Sequence, residues 1–186
     1  MFNFMTSTRK FDWQEWLKDE TLCKKEFDLF IKRNIIKPTN ETIHLKNSHL
    51  SKMEYNLIFV QSLLEKKQFY DWVIVGCYYT IYRAALALLA IRGYSSKRHE
   101  STLCALIRLW YNPNQKNAEN LSEEDIKLIA ESSLEKEEVS YFAEAKNKRE
   151  TASYGIGEEF TKNGAEELYK QTIAFVNKVR KIMEKV

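Results

Sequence analysis

The chain has 186 residues, enough for one domain with a real core and short for two. Five Gly and two Pro are too few for the turns of an all-β fold, so the composition favours long uninterrupted helices. With 44% hydrophobic residues, 30% charged residues and a formal charge of +3, nucleic-acid binding has to be argued from local clusters and not from net charge.

Residues 1–40 read as an N-terminal helical appendage to a bundle formed by residues 41–186. Trp13, Trp16, Leu17, Phe27, Phe30 and Ile31 suggest one or two short amphipathic helices, ended by Pro38-Thr39-Asn40. Tryptophans are usually buried, which favours packing on the bundle over a free partner-binding role. The opening MFNFMTSTRKFDW has no apolar run of signal-peptide length, and no lipidation motif is evident. Cys23, Cys77 and Cys104 form no C-x-x-C pair, two of them fall in strongly apolar surroundings, and they read as buried or semi-buried thiols in a reducing compartment. A cytoplasmic location is expected.

From about His44 to Lys66, the residues Leu50, Met53, Leu57, Val60 and Leu64 alternate spacings of three and four, a helix with one apolar seam. Lys66-Lys67-Gln68 breaks it. The segment Phe69 to Ile91 follows, and its stretch from Val73 to Ile91 carries a single charge, Arg83. That length could span a bilayer, but a central arginine costs roughly 2.5–3.5 kcal/mol there. A helix apolar on all sides is equally expected at the centre of a bundle, and the reading is a soluble chain with no membrane partner.

Gly93 suits a C′ position of positive φ. A further helix runs from about His99 to Tyr111 and stops at Asn112-Pro113-Asn114. Ser122 is the N-cap of the next, with Asp125 three residues on. Its pattern continues to about Ser153, with a break near Leu134, and ends at Gly155 and Gly157. The last helix carries Ala165, Leu168, Thr172, Phe175, Val179, Ile182 and Val186 at three/four spacing, capped by Thr161 or Asn163. The fold class is therefore all-α, an up-and-down antiparallel bundle of four to five helices with the extra N-terminal segment.

Standard catalytic constellations are missing: there is no P-loop, G-x-S-x-G, H-E-x-x-H or EF-hand loop. His44 and His49 are five apart and lie on different helical faces, so no metal site is expected, and no cofactor. The glutamates between Glu119 and Glu150 alternate with lysines as a solvated face. Arg83, flanked by Tyr78, Tyr79 and Tyr82, is costly in an apolar helix unless it is paired or reaches a wet groove. Arg92, Lys97, Arg98, Arg108 and Lys116 form a modest basic patch suited to phosphate contacts.

The stretch YYTIYRAALALLAIRGYSSKRHESTLCAL, Tyr78 to Leu106, resembles the signature of HEPN-domain proteins, in which Y-Y-x-x-[FY]-x-A-A-x-x-L-L leads to G-[YF]-x-x-x-x-H. A second match follows in order: Arg149 to Gly155 is similar to the family's R-x-x-A-D-Y. The resemblance covers about residues 42–185. It implies a helical bundle that pairs as a homodimer, commonly with a minimal nucleotidyltransferase partner in a toxin–antitoxin pair. Ribonuclease members carry R-x4–6-H, the arginine stabilising charge on the scissile phosphate while the histidine transfers protons.

This chain departs from that pattern. Four to six intervening residues after Arg149 lead to Tyr154, Gly155 or Ile156, never to histidine. Tyrosine, with a pKa of about 10, is a poor base at neutral pH. The resemblance therefore implies a dimeric nucleotide- or RNA-associated module whose groove holds Arg149 and Tyr154, and Arg83, Tyr79 and Arg98 are the further candidate contacts. Two other readings stay open. One is a metal-independent endoribonuclease using Arg149 with Tyr154 or His99. The other is a purely structural interaction bundle.

Overall fold

The computed structural model describes residues 12–111, 120–131 and 162–185. Two short helices open the described chain, α1 (Trp13–Lys18) and α2 (Glu20–Lys32). Each begins on an aspartate that satisfies an orphan amide: Asp12 accepts from the Gln14 N–H and Asp19 from the Leu22 N–H, both at 3.0 Å. Asp19 also ends α1, so one apolar pattern is divided into two helices.

The chain then enters a three-residue strand, β1 (Ile36–Pro38), instead of ending its order at Pro38. It pairs antiparallel with β2 (Tyr94–Ser96), Ile36 opposite Ser96 and Pro38 opposite Tyr94. The Thr39 N–H continues the ribbon by donating to the Gly93 carbonyl at 2.8 Å. Neither strand is long enough to show an alternating pattern, which is why the sequence does not announce it.

The helical hairpin α3 (Thr42–Glu65) and α4 (Tyr70–Ile91) follows. Its turn is tight, with Lys67 at φ 53° and Phe69 at φ 59°, both left-handed without being glycine. Gly93 takes φ +81° as expected, and its N–H donates to the Ala90 carbonyl at 2.9 Å. Next come α5 (His99–Trp110), α6 (Glu123–Glu131) and α7 (Lys162–Met183). Ser122 and Asp125 form the expected capping box: the Ser122 N–H donates to Asp125 at 2.7 Å and the Asp125 N–H to Ser122 Oγ at 3.3 Å. Asn163 lies inside α7 and is not its cap, while Thr161 falls outside the described residues. So do the helical pattern read from 132 to Ser153 and the stops at Gly155 and Gly157.

The bundle is all-α apart from this ribbon, and α4 is its centre. One face of α4 packs Ile81, Ala84, Ala85, Leu88 and Leu89 into the main core against α5 and α7. Another carries Val73 and Cys77 against Val60 of α3 and Ala165 of α7. Each fully buried Val, Ile or Leu among these contributes about 1.5–3 kcal/mol of transfer free energy. By length and composition α4 could cross a membrane, but 67% of its most apolar window is buried inside the molecule.

Residues 13–38 are not laid on from outside. Trp16, Cys23, Phe27, Phe30 and Ile36 enter the same core as α4 and α5. The ribbon also sets the course of α5. Because β2 carries the chain back along α4, α5 begins beside the middle of α4, with His99 against Tyr82. It ends beside the last turns of α4, where Trp110 Nε1 donates to the Leu88 carbonyl at 3.1 Å. Cys23, Cys77 and Cys104 are free and buried, as their apolar surroundings suggested.

Candidate functional site

Two stripes of side chains, one from each helix of the hairpin, make a continuous strip on the bundle surface. On α4, Trp72, Gly76, Tyr79 and Arg83 recur at spacings of four, three and four, which is one helical face. On α3, His49, Lys52, Tyr55 and Phe59 recur at three, three and four, running the opposite way. Gly76 joins the stripes. A Cβ there would lie 3.5 Å from the Phe59 ring and would collide with Val60 Cγ2, so the missing side chain lets α3 approach closely.

The strip has an apolar end and a cationic end. Phe59, Trp72 and Tyr79 are exposed beside Gly76, with Tyr55 one turn from Phe59 and Phe69 at the hairpin tip. Among the described residues, every exposed large hydrophobic side chain lies on α3 or α4 or at the N-cap of α4. Left-handed backbone at a bulky residue is costly, yet Phe69 adopts it and still presents its ring to solvent, 57% exposed.

At the other end, Arg83 stands half-buried with no carboxylate within ion-pair distance among the described residues. It faces His49: burial first, then Arg83 and Lys52, lower the His49 pKa to about 4. His49 is therefore neutral at pH 7, and the charge of this end comes from Arg83 and Lys52.

Beneath the strip, Tyr78 and Tyr82 stack at 6.0 Å, and His99 at the start of α5 leans on both rings at 6.2 and 5.5 Å. Burial pushes the Tyr78 hydroxyl up to about 12. Burial also lowers His99 to about 4, the Ile129 backbone carbonyl working against it. Neither ring nitrogen makes a geometrically formed hydrogen bond among the described residues, although both are shut off from solvent. His99 is thus a neutral ring wedged among aromatics; it does not cap α5, which has no side-chain cap.

The structure brings Arg83 and Tyr79 together, as neighbouring turns of one stripe. Arg98 stands apart, exposed at the N-cap of α5, where its carbonyl accepts from Ser101 Oγ at 3.0 Å and Thr102 Oγ1 at 2.8 Å. Arg149 and Tyr154 lie outside the described residues, as does Lys116 of the basic patch. His49, Lys52, Tyr55 and Phe59 were not among the residues singled out from sequence as a site. Their helical spacing along the flank of the apolar seam of α3 is a signal that could have found them. No group of three or more His, Cys, Asp or Glu able to hold a metal occurs among the described residues.

With this geometry in place, comparison with known proteins gives one finding. The family model described as HEPN domain matches residues 47–182, well over half of the chain. The protein belongs to the HEPN-domain family. The match begins inside α3, so α1, α2 and β1 lie outside it. No curated protein and no solved structure gives a significant match.

Proposed function

We propose that this HEPN-domain protein is a homodimeric nucleotide- or RNA-associated module that works with a nucleotidyltransferase partner, in the manner of a toxin–antitoxin pair, and that it does not cleave RNA itself. The observation that carries this reading is the α3/α4 strip, aromatic at one end and cationic at the other. The aromatic end supports self-association. If a large side chain presents about 150–250 Å², the exposed portions of Tyr55, Ile58, Phe59, Phe69, Trp72 and Tyr79 come to roughly 600 Å². That approaches the roughly 800 Å² per partner of a standard interface and lies at the top of what monomers expose.

The cationic end supports an anionic ligand at the edge of that interface. Arg83 and Lys52 supply charge for phosphate, and Tyr79 and Tyr55 supply faces on which a base can stack. Arg149 and Tyr154 are proposed to join the same groove. The nucleotidyltransferase partner rests on the family resemblance alone. Against catalysis stands the missing histidine after Arg149, and His99 is a poor substitute because both of its nitrogens are enclosed.

The test is nucleotide and short single-stranded RNA binding by wild type, Arg83→Ala and Arg149→Ala, with mass in solution followed by light scattering. A dimer whose binding weakens about tenfold or more in both variants is expected, with a salt dependence typical of phosphate contacts. RNA cleavage abolished by Arg149→Ala would overturn the non-catalytic reading. Unchanged binding in both variants would remove the groove.

A further inference from the structure

On the far side of α4 from the strip, a cleft of about 370 Å³ opens between α2, β2 and α5. Its size suits a small molecule. Arg92, which lines it, lies 13 residues beyond Tyr79, about 20 Å along the helix axis.

The wall is apolar. Phe27 of α2 and Tyr94 of β2 meet edge-to-face at 5.4 Å, with Leu109 of α5 beside them. The rim is charged. Arg92 is held in place with its guanidinium carbon 4.0 Å from the centre of the Trp110 ring, and Trp110 is itself tied to the Leu88 carbonyl. Arg108 is already engaged with Glu20 at 2.9 Å. Lys24 and Asp28, one turn apart on α2, make no ion pair with each other or with any other described residue. Two available cations, one available carboxylate and an aromatic wall therefore face one space.

We infer that this cleft binds a mononucleotide. The phosphate sits between Arg92 and Lys24, with Arg108 adding to the positive field. The base packs against Tyr94 and Leu109, which are partly exposed, with the buried Phe27 ring behind them. Asp28, an acceptor only, takes a hydrogen bond from a ribose hydroxyl or an exocyclic amine. A bare phosphate would leave the wall and Asp28 unused, and a nucleoside would leave Arg92 and Lys24 unused. Because α2 lies outside the HEPN-matched residues, the site belongs to this chain's N-terminal helices acting with the domain. It does not depend on the α3/α4 strip.

The experiment is NMR titration of the full chain at millimolar concentration with AMP, UMP, adenosine and inorganic phosphate, following the amides of Lys24, Phe27, Tyr94 and Leu109. AMP or UMP should give saturable shifts at these four positions, with adenosine and phosphate each about tenfold weaker. Arg92→Gln should weaken the nucleotide about tenfold. Lys24→Glu, at an exposed position that leaves the Arg92–Trp110 stack intact, should do the same should Arg92→Gln fail to fold. Absence of saturable shifts, equal binding of phosphate alone or adenosine alone, or full binding in Lys24→Glu would each overturn the inference. Arg83→Ala should leave these shifts unchanged, so failure here and failure of the groove are told apart.

Discussion

The two helical coverings of the core, α2 on α5 and α3 on α4, use apolar residues differently. On one side α2 turns Cys23, Phe27 and Phe30 into the core and leaves no large hydrophobic side chain exposed. On the other, α3 buries Met53, Leu57 and Val60 against α4, yet holds Tyr55, Ile58 and Phe59 in water. The first pattern is what folding alone requires. The second exceeds it, since exposed apolar area contributes nothing to a monomer and risks aggregation. Among the described residues, the difference sets the α3/α4 side apart by the apolar area it leaves in water.

The contrast can be broken most forcefully at Phe30. It is 6% exposed and meets Trp16 edge-to-face at 6.4 Å. Phe30→Ala should cost about 3–5 kcal/mol in urea unfolding. A small loss would mean that α1 and α2 are only loosely attached to the core.

The histidine between the two coverings gives the next largest effect. His99 has a pKa of about 4 in the fold, against 6.5 when free. Between those values the unfolded chain binds the extra proton, so its stabilising contribution is complete above about pH 6.5 and declines as pH falls toward 4. The loss should be about 2–3 kcal/mol. Comparing wild type with His99→Phe across that range isolates the contribution, and parallel curves would show that the buried ring does not titrate there.

Gly76 tests the seam of the second covering. Alanine gains about 1 kcal/mol of helix propensity but drives its methyl into Val60, which is fully buried and stiff at χ1. A net loss of about 1–2 kcal/mol is expected in thermal melts; a gain would show that α3 and α4 separate at no cost. The smallest stability effect should come from Tyr55→Ser combined with Ile58→Ser, within about 0.5 kcal/mol for the monomer. The same pair should shift the molecule from dimer to monomer in sedimentation, and an unchanged mass would assign the aromatic end to something other than self-association.

Much of the fold was legible because its signals are local. The three/four spacing of Leu50 to Leu64 and of Ala165 to Ile182 marks α3 and α7, Gly93 takes the positive φ that ends a helix, and Ser122 with Asp125 writes its own cap. Family membership was legible for the same reason, through the run from Tyr78 to Leu106. The site was legible only in part. Arg83 stands out as a charge in an apolar helix, and Tyr79 lies one turn away. Nothing local, however, says that His49 and Lys52 stand opposite them.

Sequence by itself therefore determined α3, α4 and α5, the ends written at Gly93 and Ser122, and the centrality of α4, since period, caps and uninterrupted hydrophobicity are properties of neighbouring residues. Tertiary structure alone decided the β1–β2 ribbon, the entry of α2 into the main core, the aromatic and cationic strip, and the cleft beside Arg92. Each depends on pairs far apart in the chain, Ile36 with Ser96, Phe27 with Tyr94, Phe59 with Gly76. Chain closure and packing fix those meetings, and no residue carries the identity of its distant partner in its own neighbourhood.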